Sequence, residues 1–256
     1  MRQPSRPLLH RRRCLQLLAT LPVGVQAATP GESVRLFAYH LKPPFLNNLA
    51  TRDGLYFDFA ELLSLRAPGL RFHTEYLPRR RLDQELAAGR LDGLVLGVHP
   101  TWFRDHERKL YLWSPPFMRD ADVVVSRHEK PITYSGPESL IGMHLALPRG
   151  YYYLGVDELV RSGAIHRVDS ESEETALMMM SLGRADASII TRRTLYALLA
   201  KRPGLRGKFH VAAQAHDEFD RHILVPRELA ALHKPVSDAG ALLVRDPAWQ
   251  TRLLER

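Results

Sequence analysis

The 256-residue chain has one cysteine, Cys14, which excludes an internal disulfide and any metal site built on several thiolates. It also lacks the G-x-x-x-x-G-K-[ST], H-E-x-x-H and G-x-S-x-G patterns, so phosphate-loop, zinc-peptidase and nucleophile-elbow chemistry have no support in it. Residues 1–27 contain no acidic side chain. They carry Arg2, Arg6, Arg11, Arg12 and Arg13, then an apolar stretch over 14–25 and the small-x-small run Val25-Gln26-Ala27. That order of charge, apolar segment and small residues is the outline of a secretory signal over 1–27. Arg11-Arg12-Arg13-Cys14-Leu15 resembles a twin-arginine signal, which leaves the Sec and Tat routes both open. The apolar stretch is too short and interrupted for a membrane span.

Removing this leader lowers the formal charge from +8 to +3 and takes Cys14 with it. The remaining excess is too small to suggest a nucleic-acid partner. Export follows from such a leader. The apolar fraction of 45% is ample for a buried core.

From Ser33 onward, short apolar runs alternate with amphipathic stretches, the pattern of an α/β chain with mostly parallel strands. Strands are expected at 34–38, 70–77, 93–98, 121–125, 144–147, 165–168, 187–190, 209–212 and 222–225. A helix over 55–63 is expected to be capped by Asp53. Gly89-Arg90-Leu91-Asp92 and Gly183-Arg184-Ala185-Asp186 each close a helix and open a strand, with glycine taking the left-handed turn. The repeated device suggests two similar lobes, one formed by 33–126 plus 214–256 and the other by 127–213. The last amphipathic helices, with Leu229, Leu232, Val236, Ala239 and Leu243, need an apolar surface, which a return to the first lobe supplies.

Several segments then stand in a telling order: Pro43-Pro44-Phe45, Gly54-Leu55-Tyr56-Phe57-Asp58, the two G-R-x-D junctions, Trp113-Ser114-Pro115-Pro116-Phe117, and Leu140-Ile141-Gly142 through Gly150. In that order and spacing the chain resembles the family 3 periplasmic solute-binding proteins of amino-acid ABC transporters over nearly its whole mature length. The resemblance implies a periplasmic location for the exported chain, a two-lobed type II fold, two crossover strands as hinge, and a small-molecule solute held between the lobes. Independently, pockets in parallel α/β sheets form beyond the carboxyl ends of strands. Those ends place His40, Phe45, Val98 and His99 at the expected cleft.

The resemblance places Arg104 on the family's carboxylate-binding arginine and Thr101 on its matching threonine. A guanidinium suits a carboxylate because two charge-assisted hydrogen bonds form at once. Arg108 is a rival that needs an insertion, and a solvated charged loop is the plainer alternative for either. Gly150, Tyr151 and Tyr152 occupy the family's G-T-T position, where Tyr152 or Tyr153 either faces a ligand or fills core. Thr191 stands where amino-acid binders of the family usually carry an aspartate for the ligand's ammonium. Its lack of charge weighs against an amino-acid solute. Arg79-Arg80-Arg81 either draws in anions or is a solvated helix start.

Three classes of function follow: a binding protein for an ABC permease, a sensor for a membrane receptor, and a dehydratase-like enzyme with His99 or Glu173 as acid or base. Binding is expected, with no enzyme activity, no metal and no cofactor. A binder that works by closing a cleft needs no second copy, so a monomer is expected.

Overall fold

The computed structural model describes residues 31–255; the expected leader and Cys14 lie outside the described residues. The two G-R-x-D junctions set the pattern of the fold. Helix α2 (Arg79–Ala87) and helix α4 (Glu173–Ser181) each end where a glycine turns left-handed, Gly89 at φ 63° and Gly183 at φ 71°. In both, the glycine amide bonds three residues back and the next arginine five back, to Leu86 and Glu85 and to Met180 and Met179, which satisfies carbonyls left over at the helix end. The following aspartates tie the turns to the sheet: Asp92 pairs with Arg35, and Asp186 accepts from the His144 amide at 2.9 Å.

In the first half, β1 (Glu32–Ala38), β2 (Leu70–Tyr76) and β3 (Leu94–Val98) run parallel in the order β2-β1-β3. Leu36, Leu94 and Leu96 face a layer built from α1 (Leu55–Arg66), α6 (His233–Val244) and α7 (Pro247–Glu255). Phe37 and Val95 face the other way, towards Leu82 of α2, Leu91 and Trp113. Successive residues of a strand point to opposite faces, so covering both faces demands the unbroken apolar run of β3, and every β3 residue is buried. The final helices return to this half as expected. Trp249 is fully buried, stands edge-on to Phe59 at 5.1 Å between ring centroids, and donates to the Phe117 carbonyl at 3.3 Å.

The second half repeats the plan. Strands β6 (His144–Pro148), β7 (His166–Ser170) and β8 (Ala187–Thr191) are parallel, ordered β8-β6-β7. Leu145, Leu147 and Ile189 pack towards α3 (Val156–Arg161). Ala146 and Ile190 pack towards α4 and α5 (Arg192–Lys201).

Two antiparallel strands join the halves. β5 (Met118–Arg127) and β9 (Phe209–Val225) pair from Met118↔Arg221 to Arg127↔Phe209. β5 also pairs with β8. The C-terminal part of β9 pairs with β3 and with the short β4 (Leu112–Trp113). The expected strands at 209–212 and 222–225 are therefore one strand. Its polar middle hides this in the sequence, and pairing with β5 satisfies its backbone there. The expected strand at 121–125 is likewise the inner part of a longer one.

Asp53 is not the residue that caps α1. Gly54 holds that position, and the first helical amides, of Leu55 and Tyr56, donate to the Pro44 and Phe45 carbonyls at 2.8 and 3.1 Å. The loop lies so close that a Cβ on Gly54 would stand 2.3 Å from the Phe45 oxygen, at φ 144°. The same contact draws residues 42–46 over the end of β1, where the candidate site lies.

Candidate functional site

Beyond the carboxyl ends of β1, β3 and β8 lie ionisable groups taken out of water. The loop after β1 supplies Tyr39, His40 and Lys42, followed by the cis Pro43–Pro44 bond and Phe45. β5 supplies Asp120 and Asp122, β9 supplies Arg221, and the start of α4 supplies Glu173. The site is thus assembled from both halves of the sheet.

Arg221 is 1% exposed, and its pairing explains how a guanidinium is tolerated there. Its Nη2 and Nε donate to Asp120 Oδ2 at 3.2 and 3.4 Å, and Nη1 donates to the Gly97 carbonyl at 2.9 Å and to Tyr56 Oη at 3.4 Å. Its Cζ lies 4.3 Å from the Phe45 ring centroid, 5.1 Å from Phe219 and 5.5 Å from Trp102. Gly97 makes this possible: it sits in a bulge of β3 at φ 76°, and a Cβ there would fall 1.8 Å from the Tyr56 hydroxyl. Burial pushes the Tyr56 hydroxyl up to about 12, against the pull of Arg221, so it stays protonated.

Lys42 makes the second group. Its ammonium donates to Glu173 Oε1 at 2.7 Å and Thr191 Oγ1 at 2.8 Å, and lies 5.4 Å from the Tyr151 ring centroid. Burial alone would lower the Lys42 pKa, but Glu173, with Tyr151 and Asp122, outweighs it and the pKa is raised. Glu173 is the first residue of α4, where the helix N-terminus favours an anion; its Oε1 also accepts the Thr191 amide at 3.2 Å. The Thr191 hydroxyl has Asp122 Oδ1 at 2.9 Å and Glu173 Oε1 at 3.1 Å, and its single proton serves one of them at a time. Asp122 is pushed up to about 6, first by burial and further by Glu173, with Lys42 opposing.

His40 packs among the aromatic rings around Arg221. It is 4% exposed, its ring lies 4.0 Å from Tyr39 and 5.8 Å from Trp102, and its Nδ1 is buried without a hydrogen-bond partner. Burial, reinforced by Arg221, Lys42 and Arg79, holds its pKa well below the usual range, so the ring is neutral. The surface grooves between Leu86 and Arg227 and between Arg52 and Phe72 contain no residue of this cluster. Among the described residues, no group of three or more His, Cys, Asp or Glu side chains is placed to hold a metal ion, and no helix is long and apolar enough to cross a membrane.

No family model matches the chain, and no curated protein does. Solved structures do. An ancestral arginine-binding protein bound to arginine superposes with a TM-score of 0.68 at 14% identity, over 89% of this chain and 99% of that one. The chain has the fold of the two-lobed periplasmic binding proteins. The substrate-binding protein of an amino acid ABC transporter gives a TM-score of 0.65 at 18% identity, over 87% of this chain and 98% of that one. A histidine kinase sensor domain with similarity to periplasmic binding proteins gives 0.69 at 15%, over 88% and 96%. These neighbours are binding proteins and a sensor domain rather than enzymes.

Within this binding-protein fold the expected site residues divide. His40, Phe45, Tyr151 and Thr191 belong to the buried cluster, and Val98 is buried at the end of β3, opposite His222. His99 and Thr101 bond each other at 2.8 Å at the cluster's edge; burial and the neighbouring His222 lower the His99 pKa. Arg104 and Arg108 are exposed, both at positive φ (55° and 54°), and take no part in the cluster's hydrogen bonds. Gly150 is exposed at φ 81°. Of the three tyrosines, Tyr153 fills core and donates to the Ile189 carbonyl at 3.3 Å, whereas Tyr152 is 61% exposed and donates to Glu158 at 2.5 Å. Arg79 is bound to Asp83, Tyr39 and the Trp102 carbonyl, while Arg80 and Arg81 are exposed.

Lys42, Asp120, Asp122 and Arg221 escape a reading based on motifs. Strand alternation carried a signal for Arg221, because it shares a strand face with Phe219 and Ile223, both buried. Lys42 carried a weaker one, a lone charge directly before the diproline.

Proposed function

We propose that the protein is a periplasmic solute-binding protein that captures a small polar, carboxylate-bearing solute between lobes formed by 33–126 plus 214–256 and by 127–213. The observation that carries this reading is the meeting of Lys42, from the loop after β1, with Glu173 and Thr191 of the other half. Charged side chains are buried between the two halves at strand carboxyl ends, where a solute is held when such a fold closes. Two further contacts bridge the halves: Lys201 with Asn47 at 3.2 Å, and Arg193 with the Leu253 carbonyl at 2.9 Å. Closure that a solute stabilises gives a membrane partner something to recognise.

In this reading His40, Phe45, Val98, Tyr151 and Thr191 line the inner cleft. His99, Thr101 and Arg104, after β3, and Gly150 and Tyr152, after β6, form its mouth, with Arg104 as the carboxylate ligand. The function needs no catalytic group. The partner is an ABC permease, or a membrane receptor as the likeness to a kinase sensor domain suggests; a pull-down from membranes separates the two.

The test begins by unfolding and refolding the protein to strip carried-over solute. Thermal stability is then measured against amino acids, amines, small carboxylates and aromatic acids, since a ligand of the folded state alone must raise it. A carboxylate is expected to stabilise the protein, and Arg104→Ala to weaken that carboxylate's binding in calorimetry with the fold intact. Unchanged affinity removes Arg104 from the site. No stabilisation by any solute defeats the binding reading.

A further inference from the structure

The acidic cluster at the strand ends already holds a cation, and that cation belongs to the chain. Lys42 is 8% exposed, and its ammonium is shared by the Glu173 carboxylate, the Thr191 hydroxyl and the face of Tyr151. Asp122 stands one hydrogen bond further on, through Thr191. A primary ammonium carries three N–H donors on a compact charge, which suits a carboxylate, a hydroxyl and an aromatic face around one point. The other oxygen of the same carboxylate, Glu173 Oε2, is buried without a hydrogen-bond partner. Without Lys42, Glu173 would lose its ion-pair partner.

We propose that Lys42 supplies from within the chain the cation that an amine-bearing solute would otherwise bring, so that the solute is a carboxylate without an ammonium group. This rests on the solute-binding reading above. A free amine competes with a tethered one at a disadvantage, because the tethered group is held at a high effective concentration. An amine seated beside Lys42 would instead meet a like charge at close range. The butylammonium side chain thus fills the ammonium site and turns it against amines, leaving the carboxylate end of a solute to be read elsewhere in the cleft.

Lys42→Ala removes three carbons and the nitrogen, the skeleton of n-propylamine, and so permits a rescue experiment. Thermal unfolding of Lys42→Ala is followed in n-propylammonium chloride, with tetramethylammonium chloride and sodium chloride at the same ionic strength as controls. Propylammonium is expected to raise the variant's midpoint by about 2–4 °C or more over both controls, a shift a domain of this size resolves. It is expected to leave wild type unchanged, and also Lys42→Met, whose side chain fills the site without a charge. If Lys42→Ala does not fold in sodium chloride, recovery of folded protein on refolding in propylammonium is the readout. The proposal is overturned if propylammonium does no better than sodium chloride on Lys42→Ala, or if it stabilises wild type equally. Propionate tested on wild type in parallel, with other small carboxylates, separates the two levels. Rescue of the variant with no carboxylate stabilising wild type defeats the solute-binding reading but keeps Lys42 as the internal cation. Stabilisation of wild type by a carboxylate without rescue does the reverse.

Discussion

Replacing Asp122 by asparagine removes the titration of a carboxyl that folding holds at about 6. In the unfolded chain the same group titrates near an ordinary aspartate value of about 3.9. Between those two values the folded protein keeps a proton that the unfolded chain has released. The contribution of Asp122 to stability is therefore complete below about pH 4 and is lost as pH rises through about 6. A difference of about two pH units corresponds to about 3 kcal/mol. Asp122 keeps partial contact with solvent, so about 1–3 kcal/mol is the expected penalty at pH 7.5. The groups that face it, Lys42, Glu173, Thr191 and Arg221, are the same in variant and wild type, so the difference between the two isolates this carboxyl. Asparagine retains an oxygen for the Thr191 hydroxyl, now 2.9 Å from Asp122 Oδ1, and carries no charge. Urea unfolding at pH 4, 5, 6 and 7.5 should show the two proteins close at pH 4 and the variant ahead by about 1–3 kcal/mol at pH 7.5. That gain corresponds to about 2–4 °C in Tm per kcal/mol for a domain of this size. A variant that is less stable than wild type at pH 7.5, or a gap that does not change with pH, refutes burial as the cause.

Asp120→Ala leaves the Arg221 guanidinium buried with its counter-charge gone. Because both side chains are only 1% exposed, a loss of about 3–5 kcal/mol is expected in denaturant unfolding; a loss under about 1 kcal/mol would mean that water reaches the arginine. Gly97→Ala puts a methyl group 1.8 Å from the Tyr56 hydroxyl at φ 76°. It should cost about 2 kcal/mol or more, through strain and the loss of the bulge that presents the Gly97 carbonyl to Arg221. A midpoint unchanged from wild type would show that β3 relaxes without its bulge.

The α/β order of the chain, the two glycine-arginine turns, the wholly buried β3 and the return of the C-terminal helices are legible in the sequence. Each follows from local periodicity or from a residue with special backbone freedom: continuous apolar runs require cover on two faces, and glycine takes a left-handed turn at little cost. His40, Phe45, Tyr151 and Thr191 are legible as candidates because they fall near strand ends in a recognisable order, and the structure gathers them in the buried cluster. The unity of β9 is not, since its middle from Gln214 to Arg221 reads as polar until β5 pairs with it. Nor is the partner of Lys42: Glu173 lies 131 residues away, and the sequence gives neither residue a reason to choose the other. Arg221 and Asp120, 101 positions apart, meet only because two strands cross together between the halves. Local chemistry determined which elements form. Only the tertiary structure decided which charges leave water, because a buried charge persists where a distant opposite charge is brought within hydrogen-bonding distance.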